Sequence, residues 1–192
     1  MVAVAAQIAD ERGLDALTLA EVANRLGVRT PSLYGHVGGL DELRRRLRLM
    51  GLETMRDGLR RATMGRSGRD ALTGLTGELR AFGAEHPGQY QATVPSHAGD
   101  ADRVREAAGS VLEVVLAVLA GYGLASDDAV HAARFVRSAV HGFIDLEAAG
   151  GFGLPVDLDA SFAMLVRQLD RSLRAWHDAG VNAEPSVLGG AG

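Results

Sequence analysis

Between Leu17 and Leu43 the chain reads LTLAEVANRLGVRTPSLYGHVGGLDEL, and no other stretch restricts the fold so tightly. Thr18 has the short oxygen-bearing side chain that caps a helix, and Glu21 follows three residues later, which predicts a capping box. Leu17 and Val22 flank that cap as a hydrophobic staple, and Leu19, Val22, Ala23 and Leu26 share one helical face. Gly27 suits the left-handed conformation that ends a helix. Val28 is expected to plug the turn, and Pro31 fits the first turn of the next helix, where its missing N–H costs nothing. Leu33 and Val37, four apart, hold that second helix against its neighbours. Facing outward are Thr30, Ser32, Tyr34, Gly35 and His36, which include polar groups suited to base edges and phosphates. A helix too short to fold alone, positioned by its neighbours and free on its polar face, is how a DNA-reading helix is built. A surface helical hairpin with no ligand would use the same core.

The rest of the chain also reads as helix, because period-2 alternation is nearly absent and β-branched residues are not clustered. A first helix runs over Val2–Arg12 and stops at Gly13, and the DNA-reading helix is expected over Thr30–Val37. The next begins near Leu40 and reaches about Ala62, with a seam of Leu40, Leu43, Leu47 and Met50 that leaves Arg44, Arg45 and Arg48 towards solvent or DNA. Leu72, Leu75, Leu79 and Phe82 mark a helix ending at His86-Pro87-Gly88, and a brief helix follows around Gln89–Val94. The helix from about Asp102 to Tyr122 is apolar on more than one face. The last two, about Asp127–Ala149 and Asp159–Asp178, carry seams of Ala132, Val136, Ala139, Phe143 and Leu146, and of Phe162, Val166, Leu169, Leu173 and Trp176. Both step four, three, four, three, which suits a pair packed inside one chain as well as a four-helix contact between two chains. The stretch from Gly180 has no periodicity and is expected to be a disordered tail.

Charge is distributed unevenly. The net charge is −4, yet residues 1–70 carry 12 Arg and 9 acids, net +3, against 8 Arg and 15 acids, net −7, in the remainder. A basic end on an acidic body suits a protein that offers one end to DNA. The absence of cysteine excludes disulfides, thiolate metal sites and cysteine nucleophiles, and fits a reducing cytoplasm. No signal peptide is expected, and the longest apolar stretch, Val111 to Leu124, is broken by Glu113 and Gly121 and too short to span a bilayer. His86, His97, His131 and His141 show no i, i+4 pairing and no evident carboxylate partner, so neither a metal nor a cofactor is expected. No nucleophile–base pair or phosphate loop supports an all-α enzyme.

The string LTLAEVANRLGVRTPSLYGHV resembles the DNA-binding segment of TetR-family repressors, through Thr18, Val22, Ala23, Leu26-Gly27-Val28, Pro31-Ser32-Leu33-Tyr34 and His36-Val37. RAFGAEHPGQY and SAVHGFIDLEAAGGFGLPVDLD resemble the C-terminal domain of the WHG subgroup of these regulators. The resemblance implies an all-α homodimer of about nine helices. Residues 1–45 would be a three-helix helix-turn-helix DNA-binding domain, 46–180 a helical ligand-binding and dimerisation domain, and 181–192 the tail. It also implies an operator of double-stranded DNA, a small-molecule effector and a cytoplasmic protein. Thr18, Tyr34 and His36 would meet phosphates, and Thr30, Pro31, Ser32 and Gly35 would face bases. The family commonly has Lys where this chain has Leu40, and Arg44 or Arg45, one turn on, would compensate. Met1 falls inside the first helix, leaving no basic arm for the minor groove unless the natural start lies upstream.

The resemblance places the dimer contact on the last two long helices, through Val136, Phe143, Phe162, Leu169, Leu173 and Trp176. It places an effector pocket in the body, with Phe82, Tyr90, Leu116, Tyr122 and Phe135 as candidate lining, although each of these also suits an ordinary core. The helix from Leu40 is expected to be the lever between pocket and DNA-reading helix. A ligand-binding helical dimer with weak or lost operator binding is the alternative that Leu40 and the missing arm leave open.

Overall fold

The computed structural model describes residues 1–94 and 102–178, and the regular secondary structure among them is entirely helical. Helix α1 (Val2–Arg12) turns Ala5, Ala6, Ile8 and Ala9 inward and stops at Gly13. A 3-10 turn (Leu14–Ala16) leads into α2 (Leu19–Leu26), which Gly27 ends at φ 68° and ψ 28°. That left-handed conformation costs glycine nothing. Helix α3 (Thr30–Leu33) has Pro31 in its first turn and is shorter than the expected Thr30–Val37. The N–H groups of His36 and Val37 both turn back to the Leu33 carbonyl, at 2.9 and 3.0 Å. Gly35, Gly38 and Gly39 are poor helix formers, and burial of Val37 draws the chain into the core. Then follow α4 (Leu40–Thr63), α5 (Gly68–Glu85), α6 (Pro87–Thr93), α7 (Asp102–Ala120), α8 (Ser126–Ala148) and α9 (Leu158–Asp178).

Two apolar cores form, and α4 contributes to both. Its first half places Leu43 and Leu47 in a head core with Ile8, Leu17, Val22, Leu33 and Val37. Its second half places Met55 and Leu59 in a body core with Leu72, Leu75, Leu119, Val136, Leu169 and Leu173. Between these, Leu52 packs with Val104 and Ala107 of α7. The short α6 lies against both α1 and α4. Its approach to α1 is so close that a Cβ on Gly88 would lie 2.2 Å from the Ala9 carbonyl carbon. Among the described residues no helix is long and apolar enough to cross a membrane.

The structure corrects several expectations. Val28 does not plug its turn: its N–H bonds the Ala23 carbonyl while its side chain remains 45% exposed. Arg48 is not on the outer face of α4 but buried. Leu146 is exposed, so the α8 seam ends before it.

The residues expected at a dimer contact make extensive contacts within one chain. Val136, Phe162, Leu169 and Leu173 are buried in the body core of a single chain. Phe143 packs its ring on Phe162 and Phe152, at 5.1 and 4.8 Å, and Trp176 meets Phe135 of the same chain at 6.3 Å. Steps of three and four mark one buried stripe without saying which helix covers it. Here α9 lies against α5 and α8 and covers its own stripe. The segment from Gly150 to Pro155 is therefore more than a spacer, since Phe152 belongs to that packing. The expected tail, 181–192, lies outside the described residues.

Candidate nucleic-acid interface

The site begins at the N-terminus of α2. Thr18 Oγ1 accepts the Glu21 N–H at 3.1 Å, which is half of the expected capping box. The Glu21 carboxylate accepts from Arg12 at 3.2 Å and Arg25 at 3.4 Å. The staple residues Leu17 and Val22 are fully buried in the same core, so the entry angle of α2 is fixed from behind. A helix N-terminus held outward in this way offers N–H groups and a partial positive charge to an anion.

Leu33 and Val37, 3% and 2% exposed, anchor α3 and the turn after it. Pro31, Ser32, Tyr34, Gly35 and His36 are consequently exposed and Thr30 half-exposed. Tyr34, at 61% exposure, is an aromatic ring with little protein around it. The turn into α4 is held by Glu42, which accepts the Gly38 N–H at 2.5 Å and pairs with Arg46 one turn on. The Gly38 hydrogen bond, with that from Arg46, holds the Glu42 carboxyl below the usual carboxylate range. The six sequence-predicted residues from Thr30 to His36 thus form one outward stretch on an element packed against α2, although only Thr30, Pro31 and Ser32 lie within α3 itself.

The arginines of the head divide into two groups. Arg12 and Arg25 are taken up by Glu21 and Glu11, the Arg25–Glu11 pair at 2.6 Å, and Arg46 by Glu42. Arg29, Arg44 and Arg45 are exposed and, among the described residues, make no ion pair. Arg44 is where the sequence reading placed a phosphate contact. Arg29, at the N-cap of α3, was not singled out; an exposed cation immediately before the DNA-reading residues was the signal. Leu40 is half-buried against the head core.

Residues 2–47 match the family described as bacterial regulatory proteins, tetR family, and residues 72–169 match the tetracyclin repressor-like C-terminal domain. The HTH-type transcriptional regulator Rv0681 of Mycobacterium tuberculosis is 37% identical over 161 residues, covering 83% of this chain and 73% of that protein. The chain belongs to the TetR family. The HTH-type transcriptional regulator YobS of Bacillus subtilis is 32% identical over 168 residues, 87% of each chain. In fold, the chain is similar to a TetR variant from Acinetobacter baumannii AYE solved in complex with minocycline. The TM-score is 0.64 at 22% identity, over 93% of this chain and 94% of that one. It is thus a helix-turn-helix transcriptional regulator of the TetR family, with an N-terminal DNA-binding head and a helical C-terminal domain.

In this TetR-family body four of the five expected pocket residues, Phe82, Tyr90, Leu116 and Tyr122, belong to the body core, and Phe135 lies outside it. The rings of Phe82 and Tyr90 are 6.4 Å apart, but the Tyr122 hydroxyl donates to Asp170 at 2.7 Å and Phe135 faces outward against Trp176. Leu116 is half-buried against the body core. A cleft of roughly 380 Å³ opens instead between α6 and α8, lined by Gln91, Val94, His141, Asp145, Ala148 and Ala149. Behind it, the Tyr90 hydroxyl lies 2.9 Å from His141 Nδ1, and His141 Nε2 lies 3.2 Å from Asp145. Burial pushes the Tyr90 hydroxyl well above the usual phenol range, so it stays protonated.

His141 therefore has a carboxylate partner, as does His86, whose Nδ1 is 3.4 Å from Asp10. Both correct the reading that the histidines lack such partners. His97 lies outside the described residues. Among the described residues no group of three or more His, Asp or Glu side chains is gathered as a metal site would need. The α6/α8 cleft left little mark on the sequence because its residues sit at the ends of two helices far apart in the chain.

Proposed function

We propose that this regulator is a repressor, released from a palindromic operator by a small molecule. The observation that carries the reading is the exposed group Pro31, Ser32, Tyr34, Gly35 and His36, held from behind by buried Leu33 and Val37, with the capped α2 packed against α3. Thr18, Tyr34 and His36 are assigned to phosphates, Thr30, Pro31, Ser32 and Gly35 to base edges, and Arg44, with Arg29 and Arg45, to the flanking backbone. We assign residues 1–45 to the DNA-binding domain and 46–180 to the ligand-binding and dimerisation domain. The WHG-type character of that body rests on the residue resemblance alone. The protein acts on DNA in the cytoplasm and performs no catalysis. Homodimerisation uses the apolar side chains left exposed on α8 and α9, Val130, Phe135, Leu146 and Met164, since the helical seams are filled within one chain.

The likeness to a TetR bound to minocycline supports a ligand-responsive body. An effector that prefers the conformation with splayed heads weakens operator binding by the same coupling energy, typically about 1–3 kcal/mol. A palindrome from DNA upstream of the gene tests the reading. Binding should weaken steeply with salt and be lost in Tyr34→Ala. A second reading, a ligand-binding dimer with weak operator binding, is favoured by Leu40 and by the engagement of Arg12 and Arg25 with acids. No salt-dependent binding, even with a basic N-terminal arm added, would select it.

A further inference from the structure

The cleft between α6 and α8 sets one carboxylate beside an apolar wall. Gln91 and Val94 belong to the C-terminal end of α6, and Ala148 and Ala149 to that of α8. The carbonyls of Asp145, Leu146 and Glu147 accept the N–H groups of Ala149, Gly151 and Gly150. The charge offered to the cleft is therefore that of the Asp145 side chain, 54% exposed. Its partner is His141, whose other ring nitrogen faces the Tyr90 hydroxyl. The ring is thus held from both nitrogens, by the Tyr90 hydroxyl on one side and Asp145 on the other, and it orders the carboxylate.

On the flank of the cleft, Arg137 donates to the Val94 carbonyl at 3.2 Å, so a guanidinium already serves one edge of the α6 end. The remaining surface is apolar, made by Val94, Ala148 and Ala149 with the Gln91 amide at the rim. The volume lies within the span of small-molecule sites, about 300–1,000 Å³.

We propose that this cleft binds a small amphipathic cation, with an ammonium or guanidinium group on the Asp145 carboxylate and an apolar body against Val94, Ala148 and Ala149. The proposal rests on the reading of the chain as a ligand-responsive regulator, and α6 is what makes such a site consequential. Gln89, two residues before Gln91, is held by Asp10 of the head, and Tyr90 between them reaches His141. A ligand that prefers one placement of α6 therefore acts on the helix that the head grips.

The experiment uses the whole chain, labelled at alanine methyl groups, titrated with tryptamine, tryptophol and indole-3-propionate. These share an indole and differ in the charge of the end group. Tryptamine should shift the Ala148 and Ala149 signals and bind about tenfold more tightly than the neutral alcohol, with the carboxylate weakest. Asp145→Asn should abolish that preference while its circular dichroism and unfolding midpoint report an intact fold. Equal shifts by all three compounds, an unchanged preference in the Asp145→Asn protein, or no shift by tryptamine at millimolar concentration overturns the proposal. Operator binding is measured separately without any amine. Its failure would sink the repressor reading and leave the amine result standing, and the reverse holds.

Discussion

Asp10, in the last turn of α1, accepts the backbone N–H of Gln89 at 3.0 Å and the Gln89 side-chain amide at 2.8 Å. Gln89 is the third residue of α6, so a carboxylate from the DNA-binding head caps a helix of the body. Negative charge at a helix N-terminus is favourable, and here Pro87 has no N–H of its own to offer. The same α6 carries Tyr90 against His141 on α8. The helix from Leu40 is the expected link between body and head. The structure adds a second connection, through α6, that has no continuous chain between its partners.

Replacing Asp10 by Asn should weaken that joint. Asn offers one acceptor where Asp10 offers two, and its amide would face the donors of Gln89 and His86. With Gln89 only 6% exposed, the loss should be about 1–3 kcal/mol. Equilibrium unfolding in urea measures it, and an unchanged midpoint would mean that the cap adds nothing beyond what water supplies.

Gly88→Ala tests the close approach of α1 and α6 without touching a charge. The added Cβ would lie 2.2 Å from the carbonyl carbon and 2.3 Å from the oxygen of Ala9, backbone atoms that cannot swing aside. Overpacking of this kind costs about 1–3 kcal/mol. Gly77→Ala, on α5 with nothing within 4 Å of its Cβ position, serves as the control. It should leave stability unchanged or raise it by about 0.4–1 kcal/mol.

Leu40→Lys should strengthen operator binding. Leu40 is half-buried at the start of α4, so a lysine stem can cover the same apolar surface while its ammonium reaches outward. One added phosphate contact should steepen the salt dependence, raising the magnitude of the log–log slope by roughly one per subunit. Fluorescence anisotropy across a salt series reads both effects. A parallel slope at higher affinity would place the gain elsewhere than at a phosphate.

Asp170 sets an acid limit on the body. Burial opposes its ionisation, but hydrogen bonds from Arg174 and Tyr122 outweigh this and hold its carboxyl below the usual range. A lowered folded value means that its contribution is complete above the unfolded value, about 3.9, and is lost as pH falls through the folded one. Asp170→Asn should therefore lose about 1–2 kcal/mol at neutral pH and lose less than the parent on acidification. Unfolding midpoints at neutral and acid pH decide it, and curves that stay parallel would remove Asp170 from the account.

The head was legible because its determinants are local. Thr18, Gly27 and Pro31 act on backbone atoms within a few residues, and Leu33 and Val37 declare their burial by spacing. Even there, Glu21 turned to Arg12 and Arg25 instead of completing its box, because exposed arginines from two helices were within its reach. Val28 was misread for a related reason: the turn needed only its N–H. The body was legible as helices and little further. The seams of Val136 and Leu173 predicted burial and left the covering partner open, since a stripe carries no record of which surface meets it.

The sequence by itself determined that this chain is helical, where its head helices begin and turn, and that the polar side chains from Thr30 to His36 face outward. Capping, glycine and proline geometry and 3.6-residue periodicity are short-range physics, readable along the chain. Tertiary structure alone decided that α9 is covered by its own chain, that Arg48 is buried, that Asp10 caps α6, and that Gln91 and Asp145 share a cleft. Those outcomes depend on which surfaces meet after the helices have formed. Asp10 and Gln89 stand 79 positions apart, and a hydrogen bond over that separation leaves no periodic trace in the chain.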